Sequence, residues 1–158
     1  MEKTLFKKYS LQMVAETNTK YTSPKINKFS IKNSIAVVDI INTVFHLDKQ
    51  AEEYCILLCL NSKNFINAAF EISHGNCNSA ILEVANVLKR ALITNSPKII
   101  VAHNHPSGDS TPSKADYSLT DRLYDSAELL GIQLIDHIII GNGNYNSLLS
   151  SKKEGVLL

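Results

Sequence analysis

The 158-residue chain is poor in cysteine, and Cys55, Cys59 and Cys77 form no Cys-x-x-Cys pair and leave an odd count. That fits a reducing, cytoplasmic setting best, with Cys55 and Cys59 on one face of a strand as small apolar residues. Also missing are an apolar run of membrane-spanning length and, in the N-terminal MEKTLFKKYSLQMV, the apolar stretch that export needs. A soluble protein with no membrane contact is therefore expected. Net charge is close to nil, +1 overall, so nothing global argues for nucleic acid. Its distribution is uneven, because residues 1–32 carry seven lysines against Glu2 and Glu16. A basic arm of this kind can contact phosphates, or it can be a solvated surface. Internal repeats and low-complexity runs are lacking too. With 44% hydrophobic residues, the chain suffices for one domain with a real core. Residues 1–30 are expected to be a basic arm or edge segment and residues 31–158 the folded domain.

What is present alternates between helical and strand periods. Residues 5–15 are ambiguous, with an edge strand as one reading, and residues 17–29 read as a loop or linker. Residues 34–45, SIAVVDIINTVF, are apolar at helical intervals and predict a helix despite their β-branched content. Residues 54–60 and 65–72 read as strands joined by the turn Asn61-Ser62-Lys63-Asn64, a hairpin. Ser79 can cap a helix running to about Leu92, with Ile81, Val84, Ala85, Leu88 and Leu92 along one side. After Pro97 a short apolar run forms a buried strand leading into His103. A helix from Ser113 to Leu130 should end at Gly131, followed by a strand over residues 132–140 and another over 145–149. Hairpin, helix, strand, helix and strand in this order argue an α/β fold, a central sheet with helices on its faces.

The chemistry is concentrated in HNHPSGDSTPSKAD, residues 103–116. His103 and His105 stand at i and i+2, so on an extended strand both imidazoles face one side and can converge on one ion. Asp116 would arrive from the next element as a third ligand. Two imidazoles, a carboxylate and an open water position make up a catalytic zinc site. Ser113-Lys114-Ala115-Asp116 has a second reading as a helix capping box. The two are compatible, since a carboxylate at a helix N-terminus is kept ionised by the helix dipole. Asn104 would face the opposite side of the strand and serve structure. His137, among isoleucines, reads as a satisfied core histidine, and His46 and His74 as surface or loop residues. A contiguous His-Asn-His does not make a nuclease, whose three residues are spread along a hairpin and helix. A zinc deaminase is excluded because His-x-Glu and Pro-Cys-x-x-Cys are both missing.

These residues resemble the JAMM motif of the MPN/JAB metallopeptidases, a glutamate followed by His-x-His-Pro, six residues, Ser, two residues and Asp. His103, His105, Pro106, Ser113 and Asp116 fill its second part. The wording HNHPSGD, with Asp121-Arg122-Leu123 and the later LIDHIIIG, is similar to the RadC branch, historically linked to DNA repair. The resemblance covers roughly residues 50–158. It implies a three-layer α/β/α, cytidine-deaminase-like fold with a central mixed sheet, and Zn2+ held by His103, His105 and Asp116. It also implies a general-base glutamate just before a buried strand, for which Glu53 is the better match and Glu52 the alternative. Gly75 resembles the family's glycine after the second strand, where a positive φ would be allowed.

The implied reaction is hydrolysis of a peptide or isopeptide bond in a peptide or protein substrate. Zinc brings the pKa of water toward about 7, Glu53 moves the proton, and Ser113 helps stabilise the oxyanion. The alternative is a DNA-associated accessory protein using the lysine-rich arm. Two features depart from the family. The first fifty residues contain no Gly-bearing helix-hairpin-helix, and the helix before the motif strand has Val84-Ala85-Asn86 where Pro-Arg-Glu is common.

Overall fold

The computed structural model describes residues 31–75 and 82–149. The expected basic arm, the Ser79 cap, Ile81, Cys77 and the side chain of His74 lie outside the described residues.

Helix α1 spans Ser34–Phe45, as its apolar spacing predicts. Asn33 starts it by accepting a 2.9 Å bond from the Ala36 amide, and His46 ends it in the left-handed region at φ 51°. Val37, Ile40 and Ile41 form its buried stripe, spaced i, i+3, i+4 so that burial outweighs the weak helix propensity of β-branched residues. Strands β1 (Glu53–Leu60) and β2 (Ile66–Gly75) make the expected hairpin, each extended beyond the apolar run that announced it. Helix α2 (Val84–Ile93), strand β3 (Lys98–Asn104), helix α3 (Lys114–Leu129), strand β4 (Gln133–Ile140) and the short β5 (Tyr145–Ser147) follow. Gly131, at φ 69°, follows α3.

The sheet order is β2-β1-β3-β4-β5, with β3 and β4 parallel and the other pairs antiparallel. β1 and β3 lie inside the sheet, covered on both faces, which explains their nearly unbroken burial. One face packs Leu57, Cys59, Ile99 and Val101 against Val87, Leu88 and Ala91 of α2 and Leu123 and Ala127 of α3. The other packs Ile56, Leu58, Ile100, Ala102, Ile138 and Ile140 against α1. The result is helix, mixed sheet, helix, an α/β architecture in three layers.

Three details differ from the sequence expectation. Helix α2 begins at Val84 with Glu83 in the N-cap position, later than a cap at Ser79 would start it, and its buried side is Val87, Leu88 and Ala91, while Ala85 is exposed and Leu92 is 54% exposed. The side facing the sheet takes the small Ala91, which lets the helix lie close, rather than the larger Leu92. β5 stops at Ser147. Gly75 is the last residue of β2, opposite Glu53.

The third strand pair carries the detail that matters most. Ile99 pairs with Leu134, but Ile100 pairs with Asp136, so Ile135 is an extra residue in β4. A bulge of this kind re-aims everything after it. Leu134 belongs to the α2/α3 core, yet Ile138 and Ile140 belong to the α1 core. Strict alternation would put them on one face. The bulge turns Asp136 toward α1, where it accepts bonds from Ser34 (3.0 Å) and Ser147 (2.6 Å). His137 then faces the α3 side.

Candidate metal centre

His103 continues the row of Ile99 and Val101 on the α2/α3 face and stands opposite Cys55 of β1. His105 lies one residue past β3, and its amide donates to the Ile140 carbonyl at 2.9 Å, prolonging the parallel ladder. The two imidazoles therefore share a side, as the i, i+2 spacing predicts, with their Nε2 atoms 3.1 Å apart. The loop after them folds back: the Gly108 amide donates to His105 O, and Asn142 N and Asn146 Nδ2 donate to Gly108 O and Ser110 O, all at 2.9 Å. Gly141 lies so close to this loop that a Cβ there would collide with Asn144, Gly108 and Ser110. That docking delivers Ser113 to the start of α3.

Ser113 and Asp116 form the capping box. The Ser113 amide and hydroxyl both donate to Asp116 Oδ2 at 2.7 Å, while Ser113 Oγ accepts from the Asp116 amide at 3.2 Å. The cap turns the carboxylate inward, leaving Asp116 Oδ1 3.2 Å from His103 Nε2 and Oδ2 3.5 Å from His105 Nε2. Burial pushes the Asp116 pKa up, but a bond from His103 when its ring is protonated, with the bonds from the side chain and backbone of Ser113, outweighs it. The carboxyl is held well below its usual range. Capping and ligand presentation are thus one arrangement.

These residues fit a metal ion. Ligands in a tetrahedron at zinc-like bond lengths sit about 3.4 Å apart; here the two Nε2 atoms are 3.1 Å apart, with Asp116 Oδ1 3.2 Å from His103 and Asp116 Oδ2 3.5 Å from His105. His105 Nδ1 is 2.7 Å from the Asp109 carbonyl, which can only accept, so in the neutral ring the proton is on Nδ1 and Nε2 presents its lone pair. One ligand atom from each of the three residues lies within 4.8 Å of the other two, close enough for a single ion to be held between them.

Glu53 opens β1 and lines one small cavity together with His103, Asp116 and His137, walled by Cys55, Leu82 and Leu119. Glu52 is exposed, outside the strand and not part of that lining. Asn104, between the two histidines, faces the other way, as expected, and is 3% exposed. Its Oδ1 accepts from the Tyr54 amide at 2.8 Å and its Nδ2 donates to the Glu52 carbonyl at 2.9 Å. The backbone is therefore pinned on both sides of Glu53. Ser113 is exposed, with its hydroxyl hydrogen directed to Asp116.

Sequence reasoning passed over two groups behind the site. His137 is fully buried, as a core histidine should be, but its Nε2 lies 2.9 Å from His103 Nδ1. Its Nδ1 lies 2.6 Å from Thr120 Oγ1, which in turn donates to the Asp116 carbonyl at 2.6 Å. Burial, with the adjacent His103 imidazole, pushes the His137 pKa down to about 3, so it is neutral at physiological pH. Thr120 was visible as one turn after Asp116 on the same helix face. His137 was hidden by the bulge.

Comparison with known proteins agrees with this geometry. The profile of the RadC-like JAB domain matches residues 31–156. A protein of Clostridium botulinum named UPF0758 is 37% identical over 153 residues, covering 97% of this chain and 60% of its own length. UPF0758 proteins of Staphylococcus haemolyticus (50% over 97 residues) and Methanosarcina barkeri (44% over 107 residues) cover 61% and 68% of this chain. The chain spans 42–60% of the length of these relatives.

Proposed function

The chain belongs to the RadC-like JAB-domain family, and on that premise we propose that it is a zinc-dependent amide hydrolase acting on peptide or isopeptide bonds. One observation carries this reading: two imidazole nitrogens and a carboxylate converge at 3.1–3.5 Å beside a cavity that Glu53 also lines. His103, His105 and Asp116 hold the ion. Zinc bound there supplies Lewis-acid chemistry and makes water acidic enough to react near neutral pH.

The remaining work belongs to the chain itself. Glu53, fixed by the Asn104 clamp, takes a proton from the attacking water and passes it to the leaving amine. Ser113 is exposed at the edge of the site, and by exchanging its bond with Asp116 for one to substrate it donates to the oxyanion. Leu82 and Leu119 form an apolar wall that limits water beside the reacting groups.

The test is metal analysis of protein purified without chelator, together with hydrolysis of a panel of fluorogenic peptides and lysine-isopeptide conjugates. We expect one zinc per chain and a loss of roughly 100-fold or more in rate for Glu53→Gln. Metal-free protein, or equal rates for the variant, would overturn the reading.

A second reading rests on the seven lysines of residues 1–32, which suit a polyanion. It predicts DNA binding that weakens steeply with salt. No binding at low salt ends it.

A further inference from the structure

We propose that His137 and Thr120 act as a positioning relay that sets the tautomer of His103 and so aims its Nε2 lone pair into the metal site. The proposal rests on the metal-site reading above but on separate atoms. Hydrogen counting carries it. The Asp116 carbonyl can only accept, so the single hydroxyl hydrogen of Thr120 goes to it across 2.6 Å. In its other contact, also 2.6 Å, Thr120 Oγ1 must therefore accept, which puts the proton of neutral His137 on Nδ1. His137 Nε2 is then bare and accepts from His103 Nδ1–H at 2.9 Å. In the neutral His103 ring this leaves Nε2 as a lone pair, 3.1 Å from the equally bare Nε2 of His105 and 3.2 Å from Asp116 Oδ1. Two lone pairs and a carboxylate facing one another call for a cation between them.

The relay starts on one metal ligand, the Asp116 backbone, and ends on another, His103. It links α3, β4 and β3 in a closed circuit. Its burial is complete enough to keep water from substituting: Thr120 is 1% exposed, His137 0% and His103 4%. Metal-ligating histidines need a partner on the second ring nitrogen, and losing it usually weakens metal binding by roughly 10–100-fold. Here the partner is another imidazole rather than a carboxylate or carbonyl. It is a conditional acceptor, which works only because Thr120 fixes its tautomer. The Ile135 bulge places His137 on this face in the first place.

The experiment compares wild type, His137→Leu, His137→Gln and Thr120→Val by zinc titration against a competing chelator. Long-range proton–nitrogen NMR of histidine-labelled apoprotein at neutral pH reads the ring protons of His103 directly. The expected result is Nδ1-protonated His103 in wild type, a mixed or inverted tautomer in His137→Leu, and zinc affinity lower by roughly 10–100-fold. His137→Gln restores an acceptor and should recover most of the affinity, with Thr120→Val in between. Unchanged His103 tautomer and zinc affinity in His137→Leu would overturn the relay. If His137→Leu fails to fold, Thr120→Val and His137→Gln decide by the same two readouts. If wild type takes up no zinc, the metal-site reading falls, while the His103 tautomer still supports or overturns the relay.

Discussion

Replacing Asn104 with alanine removes the clamp on the segment that carries Glu53, without touching a metal ligand. The wild-type amide makes two good hydrogen bonds, from Tyr54 N at 2.8 Å and to Glu52 O at 2.9 Å, on a side chain 3% exposed. Each is worth about 1 kcal/mol net, so about 2 kcal/mol is lost. With a urea slope of about 2 kcal/mol/M for a domain of this size, the unfolding midpoint should fall by about 1 M. Asn104→Asp separates the two bonds, because a carboxylate still accepts from Tyr54 N but repels the Glu52 carbonyl. It should lose at least as much as alanine. Zinc affinity should change little in either variant, since His103 and His105 stay on the strand, whereas a Glu53-dependent rate should fall. Urea titration followed by circular dichroism, alongside zinc titration, measures both. A wild-type midpoint for Asn104→Ala would refute the clamp, and a large loss of zinc affinity at an unchanged midpoint would mean that Asn104 serves the ligands instead.

Two further outcomes follow from the same geometry. Zinc at about a hundred times its dissociation constant should stabilise the protein by about 2.7 kcal/mol, raising Tm by roughly 5–10 °C. Chelator should reverse the shift and His105→Ala abolish it; a divalent ion with no effect on wild-type Tm speaks against the site. The second outcome concerns acid. The His137 pKa falls from 6.5 to about 3 on folding, so between those values the unfolded chain binds the extra proton and stability drops as pH falls. One pKa unit corresponds to about 1.4 kcal/mol, and the unfolded histidine is already half protonated at pH 6.5, so apoprotein should lose about 2 kcal/mol between pH 6.5 and 4.5 from this group. His137→Leu should show a shallower acid limb in urea titrations, and an identical limb would contradict the assignment.

The helices and the triad were legible in the sequence for different reasons. α1 was visible because Val37, Ile40 and Ile41 keep a helical spacing that overrides β-branched propensity. α3 was visible from both ends, from the Ser113–Asp116 box and from Gly131. His103, His105 and Asp116 lie within one strand, one loop and one helical turn, so local spacing is enough to bring their ligand atoms together. The face of α2 was misjudged because the count favoured a large residue, Leu92, at a position where the sheet takes Ala91. Asn104 was placed on the correct side of β3, but its partners are fifty residues away in β1. Antiparallel register between separate elements leaves no trace at such a distance.

His137 shows the limit most clearly. Read by alternation from Leu134, a residue of the α2/α3 core, Asp136 belongs on the metal face and His137 on the α1 face. One unpaired residue, Ile135, reverses both assignments. The reversal satisfies two constraints together: a buried carboxylate meets Ser34 and Ser147, and a buried imidazole meets His103 and Thr120. Without the bulge each would face the other layer and leave these partners, a cost of several kcal/mol for a buried unpaired charge. The adjacent Asp136-His137 pair is thus consistent with the sequence only in a strand that slips by one residue immediately before it. An acid–imidazole dipeptide in an otherwise apolar strand is therefore a signal for irregular register, one that strict period-two reading of β4 necessarily overlooks.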